Sequence, residues 1–191
     1  MELKQELLEI GLELFSTKSY HATGIREITK KAGVPTGSFH YHFKNKEDFA
    51  LSILDYFFTN KLERETKIVT NSSLNSKEKL IELFEIMIQY HTENSQGPIG
   101  FNGCIIGNLG QELCNQSTPI SEKINSIYES ITETITNLLE AGQKDASVNS
   151  KISSENLARF IFDAYEGALL RRKIEKTDAA TANFIKILKE L

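Results

Sequence analysis

Apolar side chains recur at helical spacing along nearly the whole chain. Leu3, Leu7, Ile10, Leu14 and Phe15 lay one apolar stripe on a first helix, 3–17. Gly11 sits inside that stripe at a cost of about 1 kcal/mol against alanine, which points to a close contact there. Ile25, Ile28 and Ala32 define the inward face of a second helix, 25–32, with Thr23 placed to cap it and Gly33 to end it. A short third helix, 35–43, tolerates Pro35 in its first turn. Its Phe39 and Phe43, four apart, anchor it to the first two. Helical patterns follow at 46–69, 77–94, 103–115, 118–142, 154–173 and 178–190, with Thr118 and Pro119 reading as N-cap and N1 of the seventh. The breaks are 71–76, the glycine-rich 97–103 and the polar 144–153. With no strand and no repeat, the pattern predicts an all-α protein of about nine helices. A three-helix helix-turn-helix domain, 1–46, precedes a larger helical domain, 47–191.

Charge sharpens the division. The 191 residues carry a net −4, which argues against indiscriminate binding of nucleic acid. Between Lys18 and Lys46 there are six basic side chains (Lys18, Arg26, Lys30, Lys31, Lys44, Lys46) against one acid, Glu27. Residues 47–191 hold 15 basic and 21 acidic side chains, so attraction to phosphate is confined to one end.

The side chains of that end fit a DNA reader. Thr36, Gly37 and Ser38 are small and polar, able to approach base edges from the front of the third helix. His40 and His42 point away from the phenylalanine anchor. Lys44 and Lys46 fall where backbone phosphates would run, and Arg26 is long enough to reach a guanine edge with two hydrogen bonds. An ordinary three-helix bundle with a solvated basic face is the bland alternative, and the combined pattern outweighs it.

These residues resemble the DNA-binding domain of TetR/AcrR-type transcriptional regulators. The resemblance runs over residues 3–50 and rests on Leu14-Phe15, Ser19-Tyr20, Thr23, Ala32-Gly33-Val34, the Gly37-Ser38-Phe39 step and His42-Phe43 followed by Lys46. It implies DNA contacts from Arg26, Thr36, Ser38, His40 and Lys46, with Thr23 near phosphate. Three features depart from the pattern: His40 stands where tyrosine is usual, Gly24 where a hydroxyl residue is usual, and no basic arm precedes the first helix. Because an imidazole gains charge only below about pH 6.5, a phosphate contact from His40 predicts operator affinity that falls as pH rises.

One short helix reads too few bases to find a genomic site, so a homodimer on paired half-sites is expected. The eighth and ninth helices offer the interface, with Ala164, Gly167 and Ala168 permitting close approach and Phe160, Leu170 and Phe184 supplying apolar area. The resemblance further implies a small-molecule pocket in the body. Tyr90, His91, Phe101, Cys104, Asn108, Tyr128, Phe162 and Tyr165 are its candidate lining. Gly103, Gly107 and Gly110 fall on one face of the sixth helix, either for a close crossing or to keep that helix weak enough for a ligand to reshape. Cys104 opens that helix, and a helix N-terminus favours the nucleophilic thiolate. About 15 Å of helix separates it from Cys114, too far for a disulfide.

The expected function is a DNA-binding transcriptional regulator, a repressor released from a double-stranded DNA operator by a small-molecule effector. The alternatives are an activator, or a thiol-based sensor of electrophiles or oxidants acting through Cys104. The chain has no HExxH, GxSxG, P-loop or CxxC metal spacing, so neither catalysis nor a cofactor is expected. With no signal-peptide core and no membrane-length apolar run, the expected location is cytoplasmic.

Overall fold

A computed structural model describes residues 2–93, 102–149 and 151–191. The described residues form helices and no strand: α1 (Leu3–Thr17), α2 (Ile25–Lys31), α3 (Thr36–His42), α4 (Lys46–Val69), α5 (Ser76–Glu93), α6 (Ile105–Leu113), α7 (Thr118–Lys144), α8 (Ser154–Glu175) and α9 (Ala179–Leu188). No helix among them is long and apolar enough to cross a membrane. Contacts divide the chain into two units. The first holds Met1–Lys61 and Ile105–Ser126, the second Leu62–Cys104 and Ile127–Leu191, so the divisions fall inside α4 and α7 and just before α6.

The first unit is built on an aromatic knot. Phe15 of α1, Phe39 and Phe43 from the α3 region and Phe49 of α4 are all buried, with Phe49 lying 5.9, 5.0 and 4.7 Å from Phe15, Phe39 and Phe43. Gly11 explains itself here: a Cβ on it would lie 2.3 Å from Cζ of Phe49 and 2.7 Å from Cδ1 of Ile53. The α2–α3 turn is a Schellman cap. Gly33 takes φ +68°, its N–H reaches Lys30 O at 3.2 Å and the Val34 N–H reaches Thr29 O at 3.0 Å. Asn45 then starts α4 by accepting the Asp48 N–H at 2.8 Å, while the Asp48 carboxylate accepts the Lys44 N–H at 2.9 Å.

Several expectations are corrected. Thr23 does not cap α2, whose N-cap is Gly24; it is buried, and its hydroxyl donates to Ser19 O at 2.8 Å, closing the turn after α1. The cap of α7 is Ser117 rather than Thr118, accepting the Ile120 N–H at 3.3 Å. α6 begins at Ile105, so Cys104 precedes the helix and Gly103 is not part of a three-glycine helical face. The glycine-rich break at 97–103 lies, up to residue 101, outside the described residues.

In the second unit α8 packs on α9, and Phe84 of α5 meets Tyr165 at 5.3 Å and Phe184 at 5.1 Å. Ile127, Ile131, Ile135 and Leu139 form the buried stripe of α7 at spacings of four. Asn75 and Glu78 form a capping box on α5, each side chain accepting the other residue's N–H, at 2.9 and 2.8 Å. Phe184 therefore belongs to the interior of this unit rather than to a wholly outward face.

Candidate nucleic-acid interface and effector region

α3 lies on the outside of the first unit. Phe39 and Phe43 face inward, while Thr36, Gly37, His40 and Tyr41 are exposed and Ser38 and His42 are half-buried. Tyr41, 85% exposed, escaped the sequence reading. At 100° per residue it stands opposite the Phe39–Phe43 anchor, more directly than His40 or His42, and that arithmetic would have found it. Its ring stands edge-on to His42 at 4.9 Å.

The basic side chains divide by what they already hold. Lys18 pairs with Glu27 and Lys31 with Glu13, exposed pairs worth little in stability. Arg26, Lys30 and Lys44 are exposed. Lys46 is half-buried with its ammonium 4.2 Å from the centre of the Tyr20 ring. Burial pulls its pKa down, and the Glu112 carboxylate acts in the opposite direction. The structure thus gathers Arg26, Thr36, Gly37, Ser38, His40 and His42 around α2 and α3, keeps Lys46 against Tyr20, and withdraws the Thr23 side chain inside.

Glu112, on α6, accepts the backbone N–H groups of Tyr20 and His21, each at 3.1 Å. Glu47 accepts from the Ser117 hydroxyl at 2.5 Å. Two carboxylates therefore tie α6 and the start of α7 to the helix-turn-helix. No local pattern announces such contacts, because their partners stand 70 or more residues apart.

In the second unit, Tyr128, Phe162 and Tyr165 make an aromatic chain, with successive ring centres 5.3 and 6.1 Å apart. His91 joins it, 6.5 Å from Tyr165, and Tyr90 flanks His91 at 5.5 Å. Arg64 lies over the Tyr90 ring at 4.2 Å. Burial pushes the His91 pKa down to about 4, with Arg172 and Arg64 adding repulsion, so this imidazole is neutral at pH 7. Cys104 is buried beside Tyr165 and Glu166, and neither cysteine is in a disulfide. Of the remaining candidates, Asn108 belongs to the first unit and Phe101 lies outside the described residues. Among the described residues no group of three or more His, Cys, Asp or Glu is placed to hold a metal.

This geometry meets a matching family in both parts of the chain. The family model for "Bacterial regulatory proteins, tetR family" matches residues 7–53, and that for "Tetracyclin repressor-like, C-terminal domain" matches residues 76–188. The chain belongs to the tetR family. It is a DNA-binding transcriptional regulator. The tetR-family repressor DhaR of Mycobacterium sp. (strain GP1) is 28% identical over 188 residues, 98% of this chain and 91% of DhaR. The transcriptional regulator AcuR of Cereibacter sphaeroides is 31% identical over 172 residues, covering 90% of this chain and 76% of AcuR. The crystal structure of a regulatory protein TetR from Rhodobacter sphaeroides superposes with a TM-score of 0.88 at 26% identity, over 97% of this chain and 96% of that one.

Proposed function

We propose that this tetR-family regulator is a homodimeric repressor that leaves its operator when a small molecule binds its body. The carrying observation is the outward face of α3, where Thr36, His40 and Tyr41 stand exposed opposite a buried phenylalanine anchor, beside exposed Arg26. In this reading residues 1–46 contact the operator and residues 47–191 bind the effector and the second subunit. The repressor sign is supported by the likeness to DhaR, which is named a repressor.

The dimer is assigned to α8 and α9. These helices carry a groove of about 730 Å³ lined by Leu157, Phe160, Ile161, Ala164, Gly167 and Ile187 among others. Phe160, Leu170, Ile174 and Ile187 remain 46–69% exposed, an apolar area that a second copy would cover. Symmetric pairing through it would present two copies of α3, which an operator with half-sites roughly 34 Å apart, one helical turn, requires.

Release is a population shift in which effector binds better to the arrangement whose paired heads do not match the operator. By reciprocity, operator DNA must weaken effector binding by the same factor. Glu112 gives α6 a direct hold on the turn between α1 and α2, so displacing α6 disturbs the entry to the helix-turn-helix. The test is a gel shift with the DNA upstream of the protein's own gene, repeated with candidate effectors. A specific complex that R26A weakens and an effector dissolves is expected. No specific complex at low salt, or one indifferent to R26A and T36A, refutes the reading.

A further inference from the structure

The groove along α8 and α9 is not uniformly apolar. Among the described residues that line it, Arg171, Glu175 and Asn183 are polar, and Phe160, Leu170 and Ile187 stand exposed around them. Arg171 donates from Nε and Nη2 to Oε1 of Glu175, at 3.0 and 2.5 Å. The two side chains are 69% and 36% exposed, and both bonds end on one oxygen, leaving Oε2 and the other guanidinium N–H groups to solvent. Asn183 is exposed on α9. Because residues 176–178 alone join the two helices, Glu175 and Asn183 stand at the same end of the groove.

Covering this face changes what the three groups require. Gly167 precedes Arg171 by one turn on the same side of α8, and nothing lies within 4 Å of a Cβ placed on it. Glycine weakens a helix interior, and no packing within this chain requires it here. Close approach of a partner backbone does require it, and such an approach displaces water from Arg171, one turn away. The three polar side chains then depend on the covering surface for hydrogen bonds, since a buried polar group left unpaired is costly. An apolar surface supplies none, and a surface of one charge opposes one member of the Arg171–Glu175 pair. A second copy brings a guanidinium, a carboxylate and a carboxamide to the same groove, related by a two-fold axis, so donors and acceptors arrive in equal sets.

We propose that Arg171, Glu175 and Asn183 are the specificity-determining residues of self-association, selecting a second copy of this chain over other paired-helix surfaces of similar shape. The apolar lining supplies the affinity, and the three polar side chains reject partners that cannot pair with them. A polar side chain in an otherwise apolar helical seam fixes register and partner at some cost in stability. A buried ion pair behaves alike: replacing both members by apolar groups commonly leaves association as tight, whereas removing one leaves the other charge buried and unpaired. The inference rests on the dimer assigned above to α8 and α9, and it adds which partner that face accepts.

The test is subunit exchange between full-length wild-type protein and R171L/E175L/N183L protein, read by native mass spectrometry. Random pairing makes about half of the dimers mixed. A mixed fraction below about one fifth is expected, with the all-apolar variant dimerising at least as tightly as wild type, because a polar group left unpaired weakens association roughly tenfold. K186A, which alters an exposed α9 residue outside the groove lining, should mix with wild type at about one half. A second measurement, sedimentation of single variants, needs no apolar substitution. E175A and N183A should each raise the dimer Kd about tenfold, whereas K186A should leave it within about twofold. Random mixing of wild type with the triple variant overturns the proposal, as do E175A and N183A dimers as tight as the parent. A wild-type chain that stays monomeric, or a dimer that F160E with I187E leaves intact, instead removes the α8–α9 assignment on which the proposal stands.

Discussion

Replacing Gly11 by alanine opposes two well-defined effects. Alanine is the better helix former by about 1 kcal/mol, so propensity alone predicts that G11A stabilises α1. The structure predicts the reverse. The added methyl would stand 2.3 and 2.5 Å from Cζ and Cε1 of Phe49 and 2.7 Å from Cδ1 of Ile53. Phe49 has no room to retreat, because its ring is packed on Phe15, Phe39 and Phe43 at 5.9, 5.0 and 4.7 Å. Overpacking of this kind costs about 1–3 kcal/mol. Set against the propensity gain, a net loss of up to about 2 kcal/mol is expected. Gly37 on α3 supplies the control, since nothing lies within 4 Å of a Cβ placed there. G37A should therefore gain up to about 1 kcal/mol. Urea unfolding of the full-length variants, followed by far-ultraviolet circular dichroism, compares the two signs. F49L, which removes the ring edge, should recover part of the loss in a G11A background. A G11A protein as stable as its parent, or no recovery in the double variant, would refute the packing argument.

The buried His91 makes stability depend on pH. Its folded pKa is pushed down to about 4 from 6.5, so the unfolded chain takes up a proton that the fold refuses. The neutral ring costs nothing above about pH 6.5, and stability should fall by up to roughly 3 kcal/mol as pH drops from there to about 4; urea midpoints that decline equally in H91N would contradict this. R26A should weaken operator binding by about 1–3 kcal/mol and relax preference at one base pair. K44A should weaken all sequences alike and reduce the salt slope by about one, both measured by fluorescence anisotropy. F160E with I187E should yield monomers by sedimentation and abolish tight operator binding, because each charge would lie buried and unpaired in the assigned interface; a stable dimer would move the interface elsewhere.

The sequence alone determined the helices and the reading head, because both depend on local spacing. Apolar positions three and four apart set the helical faces, Gly33 set the turn, and Phe39 with Phe43 set which way α3 faces. The tertiary structure alone decided how individual side chains are used. Thr23 looked like a cap and a phosphate contact until the fold buried it beside Ser19 O. Glu112 and Glu166 carry no mark in the spacing pattern; α6 brings Glu112 to the Tyr20 and His21 amides, and α8 brings Glu166 to Cys104. Helix formation is decided within a few turns of chain. A buried hydrogen bond or a shared proton depends on partners dozens of residues away, and only the packed chain fixes those distances.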